Sequence, residues 1–229
     1  MQHYPLLLLS LVKKDLWPII RMSYNRFIRM SYNRFWKRLF DLVIAILLLV
    51  ILAPLLLMVA MLICLDSPGG IFFKQTRIGK NGRYFTMWKF RSMIRNADQQ
   101  KHKLNNEMAG GVLFKMKRDP RITRVGRVIR RLSIDELPQL WNVVIGDMSI
   151  VGPRPALPDE VVRYNSHQRQ RLNITPGITC FWQIAGRSEI SFPQQVELDL
   201  YYIANQSFRT DMLILLRTIP AVLSGKGAY

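Results

Sequence analysis

The feature that most constrains this chain is an uncharged apolar run, Leu42–Leu65, with Pro54 near its middle. A helix of about 20 apolar residues is long enough to cross the hydrocarbon core of a bilayer. A proline inside a helix removes a backbone hydrogen bond and crowds the preceding turn, so it can kink or break the segment. The run therefore predicts a membrane segment in one of two forms: a spanning helix with a mild kink, or a helix that bends at Pro54 and returns.

Both flanks of this run are strongly basic. Residues 13–38 carry eight lysine and arginine residues against Asp15, and residues 66–91 carry six against Asp66. Basic residues close to a membrane segment favour the cytoplasmic side of the membrane. The flanks therefore predict that both ends lie on the same side, which a returning helix allows. The segment by itself leaves the two forms about equally open.

The charge of the whole chain narrows the class of partner. Thirty-three Lys and Arg residues against 15 Asp and Glu residues give a net charge of +18. Such a charge suits nucleic acid, anionic lipid headgroups or phosphorylated substrates. The membrane run favours the last two, and no groove-reading motif supports binding to nucleic acid. Two cysteines are too few for a disulfide framework or a cysteine metal site, so we interpret Cys64 and Cys180 as packing residues.

The sequence divides into three parts. Residues 1–36 form a basic and aromatic extension, residues 37–66 the membrane segment, and residues 67–229 a domain whose last helix is apolar enough to lie on a membrane surface. The extension contains a duplicated segment, since Arg21–Phe27 recurs as Arg29–Phe35. A repeat of eight residues fits neither a heptad nor a solenoid unit. We interpret it as a small duplication in the gene.

The third part is predicted to be α/β, mostly helical with a small β-hairpin and amphipathic helices at the surface. Ile71–Gln75 and Arg83–Lys89 are predicted strands, because each is short and apolar and Asn81-Gly82 between them is a hairpin turn signal. Apolar residues at helical spacing predict an amphipathic helix over residues 122–131. Further helices are predicted over residues 93–108, which are polar, and over 133–145, 159–172, 192–205 and 210–223.

The stretch Ser133–Gln139 is the strongest candidate for chemistry. Ser133 and Glu136 have the spacing of a capping box, although Pro138 fits better if Asp135 itself is the cap. Either way Asp135 would lie at the positive end of a helix dipole, after an arginine-rich helix, and we expect it to be ionised. An ionised aspartate can attack phosphorus and form an acyl phosphate. The alternative is that both acids only cap a helix.

Basic residues near loops supply candidate phosphate ligands. Lys89 and Arg91 follow a predicted strand, and Arg187 follows Gly186. Arg154 lies between two prolines that restrict its backbone, and no acid in its loop is predicted to pair with it. A guanidinium group is well shaped to bind phosphate oxygens in pairs. These positions predict a site for a nucleotide diphosphate.

Motifs spread over the chain point to one family. In order they are Lys37–Asp41, Gln75–Gly79, Lys89–Met93, Asp119–Thr123, Ser133–Gln139, Gly146–Ser149, Val151–Pro155, Thr175–Thr179, Trp182–Gln183, Gly186–Arg187 and Gly227–Tyr229. With these motifs the sequence resembles the bacterial sugar transferase family, the monotopic phosphoglycosyl transferases. The resemblance covers roughly Phe35–Tyr229.

The resemblance implies a membrane enzyme of the bacterial inner membrane, with its catalytic domain on the cytoplasmic face. Such enzymes move a sugar-1-phosphate from a nucleotide-sugar, usually a UDP-sugar, to polyprenyl phosphate, and they use Mg²⁺. Asp135 matches the nucleophile, which releases UMP, holds the phosphosugar and also touches the metal. Glu136 matches its assisting partner. Four basic residues match positions that hold phosphates or the nucleotide: Lys89, Arg91, Arg130 and Arg154.

The resemblance also implies that the membrane segment is re-entrant, a helix-break-helix. Many members have serine before the helix-breaking proline, whereas this chain has Ala53, so we expect the bend to depend on Pro54. Long members carry a four-helix membrane region and a further domain, so the chain looks like a minimal form or the catalytic part of a longer one. The expected partners are a nucleotide-sugar, polyprenyl phosphate and anionic lipids, and a homodimer is left open. A competing interpretation is a membrane-tethered interaction protein without activity.

Overall fold

The computed structural model describes residues 34–100, 116, 119–186 and 190–224. Helix α1 runs from Arg34 to Asp66 and continues through Pro54, so the predicted helix-break-helix is not confirmed. By length and composition alone, its stretch Phe35–Asp66 could cross a membrane. The first copy of the duplicated segment, and most of the second, lie outside the described residues.

An antiparallel hairpin follows α1, as predicted. Strand β1 is Phe72–Ile78 and strand β2 is Tyr84–Phe90. The turn between them contains Asn81 at φ 55° and Gly82 at φ 79°, left-handed values that asparagine and glycine adopt readily. Partners across the hairpin include Phe73 with Lys89 and Arg77 with Phe85. Since side chains alternate between the two faces, Gln75, Arg77 and Lys89 share one face.

The remaining elements are short, and together they give a mostly helical α/β domain. They are α2 (Ala97–Gln100), α3 (Arg124–Arg131), a 3₁₀ turn (Ile134–Glu136), α4 (Gln139–Ile145), β3 (Ser149–Val151), α5 (Pro158–Val162), α6 (Ser166–Arg169), a 3₁₀ turn (Gln170–Asn173), β4 (Gly177–Thr179), α7 (Phe181–Ala185), α8 (Phe192–Ala204) and α9 (Phe208–Ser224). Strands β3 and β4 pair in parallel. Gly152 and Gly177 let these chains approach closely, because a Cβ on Gly177 would lie 2.0 Å from the Gly152 nitrogen.

The structure corrects one predicted helix and tests part of another. The predicted helix over 159–172 is wrong, because Asn165 and Gln168 form a reciprocal capping box that starts a new helix there. Residues 93–108 are described only as far as residue 100, and Met93 pairs with Ile122 in a β-bridge before α2 begins. The predicted helices over 122–131, 192–205 and 210–223 are confirmed as α3, α8 and α9.

The first turns of α1 are fixed to the domain by buried charges. The Lys37 ammonium lies 2.6 Å from Asp211 Oδ2 on α9 and 3.2 Å from Asp41 Oδ1. Asp211 also accepts a 2.8 Å hydrogen bond from the Tyr202 hydroxyl on α8, and Asp41 accepts one of 3.1 Å from the Ile150 amide in β3. The network therefore joins α1 to three other elements of the domain.

The last turn of α1 is fixed to the same domain by a different set of contacts. The Arg91 guanidinium, just after β2, donates to the carbonyl oxygens of Ile63, Ser67 and Pro68. The Asp66 carboxylate accepts a 3.0 Å hydrogen bond from the Val125 amide in α3. Of the carbonyl groups that Arg91 contacts, only that of Ile63 belongs to α1, and it also accepts a hydrogen bond from the Ser67 amide, so Arg91 joins the helix end to the turn that follows it. Both ends of α1 therefore contact one body.

Between its ends α1 packs on two apolar clusters. Ala45 is buried in the larger cluster with Val143 of α4, and Val59 and Ile63 are buried in a smaller cluster with Ile129 of α3. The opposite face of α1 exposes apolar side chains, among them Val43, Ile46, Leu47, Val50, Ile51, Leu57, Met58 and Met61. Helix α9 likewise exposes Leu216, Ile219 and Leu223. A continuous apolar surface of this kind marks a membrane or protein interface.

The two cysteines differ in their surroundings. Cys180 is buried in the larger cluster, as predicted for a packing residue. Cys64 is exposed on α1, so it does not pack inside the domain. Its position follows from the helix period, since Ile63 next to it occupies the buried face.

Replacing Lys37 tests the buried network at the start of α1. Lys37→Met would leave Asp211 buried without its cation, and breaking a buried ion pair from one side costs about 3–5 kcal/mol. We expect that loss in the free energy of unfolding of the detergent-purified protein, measured by denaturant titration. The control is Lys74→Met, because Lys74 is exposed on β1 and lies over the Trp88 ring, a contact worth about 0.5–1 kcal/mol. Equal losses in both variants would contradict the role of the network.

Candidate active site

The acidic pair Asp135-Glu136 lies in the connection between α3 and α4. Ser133 has a left-handed backbone at φ 55°, which turns the chain after α3, and Ile134–Glu136 then form a single 3₁₀ turn. Ile134 packs on the smaller apolar cluster and Leu137 on the larger one. Apolar contacts on both sides of the pair therefore fix the position of its two carboxylates.

Both predicted capping arrangements are wrong. The Ser133 side chain makes no capping hydrogen bond, and the Glu136 carboxylate binds Lys89 instead. Helix α4 begins at Gln139, with Pro138 at the capping position and no side-chain cap. Asp135 therefore precedes the helix by a full turn. Because the field of a helix dipole fades within its first turn, the dipole contributes less here than the sequence suggested.

The Asp135 carboxyl group is buried, with 8% of the residue exposed. Burial is the main cause that raises its pKa and the neighbouring Glu136 carboxylate adds to the increase, whereas Lys89 and Arg130 oppose it, and the resulting pKa is about 6. With this pKa Asp135 is mostly ionised at neutral pH, as expected, although its pKa lies above the usual value. Desolvation of the buried carboxylate outweighs the attraction of the nearby cations.

The pKa of Glu136 is shifted in the opposite direction, below its usual value. Burial alone would raise its pKa, but Lys89, Arg154 and Arg77 together lower it below the usual value. The Lys89 ammonium lies 2.6 Å from Glu136 Oε1. Two adjacent carboxyl groups are thus held in different states, one that gains a proton near pH 6 and one that stays anionic. Such a separation is typical of sites that move protons or use a carboxylate as a nucleophile.

Arg154 reaches the site from the loop after β3. Its guanidinium lies 3.5 Å from Glu160 Oε2, so the expectation that no acid pairs with it needs correction. Glu160 lies just beyond the loop in α5, where its carboxylate also accepts a hydrogen bond from the Leu157 amide. Arg154 lines a small cleft together with Ile78, Gly79, Pro153, Ala156, Tyr164, Arg171, Leu172, Ile174 and Pro176.

The structure separates the other predicted phosphate ligands. Arg130, near the end of α3, lies close enough to Asp135 to lower its pKa. Arg91 binds the carbonyl oxygens at the end of α1, so its hydrogen bonds go to the membrane helix and not to the acidic pair. Arg187 lies outside the described residues.

Two residues of the site were missed in the sequence. Arg77 is buried in β1 and lies close enough to Glu136 to lower its pKa. The strand register carried a signal for it, because Arg77 and Lys89 fall on one face of the hairpin. Glu160 carried no such signal, because its pairing with Arg154 depends on where α5 packs. Four cations, Arg77, Lys89, Arg130 and Arg154, thus surround three carboxylates.

Comparison with known proteins gives one consistent result. The family model described as "Bacterial sugar transferase" matches residues 32–225. The chain is 44% identical over 194 residues to the exopolysaccharide production protein ExoY of Sinorhizobium fredii, covering 82% of this chain and 86% of that protein.

Two longer relatives match over a smaller share of their own length. The galactosyl transferase CpsE of Streptococcus agalactiae is 50% identical over 163 residues, which are 70% of this chain and 36% of that protein. The undecaprenyl-phosphate galactose phosphotransferase of Salmonella typhimurium is 42% identical over 166 residues, 70% of this chain and 35% of that protein. The chain thus spans about a third of the length of these two relatives. The family match over most of the chain shows that the protein belongs to the bacterial sugar transferase family.

Proposed function

We propose that the protein transfers a sugar-1-phosphate from a nucleotide-sugar, a UDP-sugar, to polyprenyl phosphate. The observation that carries the proposal is the buried Asp135 beside an anionic Glu136 within a group of four cations. The relatives support the acceptor, since one of them is named as an undecaprenyl-phosphate galactose phosphotransferase. The proposal places the reaction at an early membrane step in the assembly of a bacterial surface polysaccharide.

The proposed reaction has two displacements at phosphorus. A carboxylate oxygen of Asp135 attacks the β-phosphorus of the nucleotide-sugar, and the bond from that phosphorus to the bridging oxygen breaks. UMP leaves with the electron pair, and the sugar phosphate stays on Asp135 as an acyl phosphate. A phosphate oxygen of the polyprenyl phosphate then attacks the same phosphorus. The carboxylate of Asp135 leaves, and a polyprenyl diphosphate sugar is formed.

The surrounding side chains have separate roles in this reaction. Lys89 holds Glu136 and faces Asp135, so its ammonium offsets negative charge that gathers on the attacked phosphate. Arg154 and Arg130 supply guanidinium groups on either side of the pair. Glu136, which stays anionic, orients Lys89 and can accept a proton from an incoming phosphate. Burial keeps water from hydrolysing the acyl phosphate.

The acidic pair fits a magnesium ion, which is part of the proposal. No group of three or more His, Cys, Asp or Glu side chains that could hold a metal occurs in the described part of the chain. Mg²⁺ commonly binds one or two carboxylates together with substrate phosphates, so Asp135 with Glu136 is a suitable donor set. A bound magnesium ion would neutralise charge on the diphosphate and on the leaving UMP.

The contacts of α1 support a re-entrant or interfacial membrane helix over a spanning one. A straight helix of this length would measure roughly 50 Å, well beyond a hydrocarbon core of about 30 Å. Lys37 near its start and Asp66 at its end both bind the same domain. A spanning helix would place these ends on opposite sides of the membrane. The contacts of one end with the domain would then be broken. We therefore propose that both ends lie at the cytoplasmic face of the inner membrane, where the basic flanks meet anionic headgroups.

Asp135→Asn tests the nucleophile. The amide is a poor nucleophile, so we expect UMP release from a UDP-sugar panel with polyprenyl phosphate to fall roughly a thousandfold or more, with the fold retained. The phosphosugar adduct on the peptide containing Asp135 should disappear in mass spectra. The matched control is Asp159→Asn, an exposed aspartate on α5. An adduct that persists in the Asp135 variant would exclude this residue as the nucleophile.

The pH dependence of adduct formation tests the raised pKa of Asp135. Protonated Asp135 cannot attack, so the rate should level off above about pH 6 and fall about tenfold for each unit below it. The Glu136 charge raises the pKa of Asp135. Glu136→Gln should therefore shift the acid limb of the pH–rate profile, the fall in rate at low pH, to lower pH, even if the variant is slower at every pH. The measurement is single-turnover formation of the adduct. A limb that stays in place or moves to higher pH would contradict the coupling of the two carboxyl groups.

The topology is tested with single cysteines at Gln2 and Asn81 in a background lacking Cys64 and Cys180. A membrane-impermeant thiol reagent should leave both sites unlabelled in intact cells and label both in broken cells. A periplasmic marker protein with a free cysteine serves as the control and must be labelled in intact cells. Labelling at Gln2 alone in intact cells would show that α1 spans the membrane. Pro54→Leu should increase that labelling, because without proline the segment is free to straighten.

A further inference from the structure

We propose that Arg77 is a positioning residue of the active site that acts through Arg154 on the donor's diphosphate. The proposal rests on the proposed function and adds to it a residue that does not itself touch the reacting atoms. Two independent features of the structure carry it: the way in which β1 holds the Arg154 loop, and the lack of a carboxylate beside the Arg77 guanidinium among the described residues.

The first feature is the attachment of the Arg154 loop to β1. Arg77 Nη1 donates a 2.9 Å hydrogen bond to the Pro155 carbonyl, and the Ile78 amide donates one of 2.9 Å to the Ala156 carbonyl. Two successive residues of β1 therefore hold the two residues that follow Arg154. Because Pro153 and Pro155 already restrict the backbone on both sides, these bonds leave the Arg154 backbone little freedom before substrate binds.

The second feature is the unbalanced charge of Arg77. The whole residue is 5% exposed, and the remaining hydrogen bonds of its guanidinium go to a neutral acceptor, Gln75 Oε1, at 3.0 Å from Nε and 2.5 Å from Nη2. Within the described residues no carboxylate lies within 4.0 Å of it. Burying a cation without an anionic partner is costly. Burial and the charge of Arg154 accordingly lower the pKa of Arg77 to about 9.

These two features point to a bound anion. The positive charges of Arg77 and Arg154 repel each other. The Glu160 carboxylate, 3.5 Å from the Arg154 guanidinium, offsets part of the charge of Arg154. An anion bound by Arg154 in the cleft would relieve this repulsion and would be attracted by both guanidinium groups. The fixed positive charge is thus in place before the ligand arrives, which avoids reorganisation on binding. Arg77 is too deeply buried to touch the ligand, so its effect must pass through Arg154 and the electrostatic field.

A double-mutant cycle tests this dependence on Arg154. The affinity for UDP is measured by titration calorimetry on the full chain in detergent, in the parent, Arg77→Gln, Arg154→Gln and the double variant. We expect Arg77→Gln to weaken UDP binding about tenfold in the parent and less than twofold when Arg154 is already replaced. In turnover the same variant should raise KM for the nucleotide-sugar, with kcat within about threefold of the parent. Arg83→Gln, at the exposed hairpin turn, is the control and should change neither.

Three results would overturn the proposal. They are UDP affinity within twofold of the parent in a folded Arg77→Gln variant, an equal loss in both Arg154 backgrounds, and a fall in kcat without a rise in KM. If Arg77→Gln does not fold, Arg77→Lys replaces it in the cycle, because lysine keeps the charge but cannot donate to both Gln75 and Pro155. Since UDP binding needs no turnover, a parent that binds UDP but releases no UMP would refute the proposed function without affecting this test.

Discussion

The attachment of α1 to one domain at both of its ends is the constraint on which the rest of the structure depends. At its start a buried lysine joins two aspartates, and at its end Arg91 donates to the carbonyl oxygens of Ile63 and of two residues just beyond the helix. The Asp41 carboxylate also binds β3, the strand that leads into the Arg154 loop. One buried network therefore joins the long apolar helix to the strand that carries the Arg154 loop.

The chemistry depends on how that framework distributes charge around Asp135 and Glu136. Asp135 is buried and Glu136 is partly exposed, yet their pKa values move in opposite directions because Lys89, Arg154 and Arg77 lower that of Glu136. In the proposed reaction, the weak solvation of Asp135 and the nearby cations would favour its attack on an anionic phosphate. The positive charge around the pair suits the anionic donor that we propose.

Local patterns in the sequence determined much of this protein. The uncharged run around Pro54 specified a long apolar helix, Asn81-Gly82 specified the hairpin, and helical periodicity specified α3, α8 and α9. These features depend on neighbouring residues, so a single chain is enough to predict them. The motif containing Asp135 and Glu136 marked the candidate site, and the predicted membership of the bacterial sugar transferase family is confirmed by the family match.

Only the tertiary structure decided what each charged residue contacts. Spacing predicted a capping role for Ser133 and Glu136, but Lys89, distant in sequence, takes the Glu136 carboxylate. The sequence suggested Arg91 as a phosphate ligand, but in the structure its guanidinium donates to carbonyl oxygens at the end of α1. The pairing of a charge depends on desolvation and on partners from other elements, and these exist only after packing. The sequence therefore indicated which segment holds the acidic pair, and packing decided how the pKa values of its two carboxyl groups separate and which groups each arginine contacts.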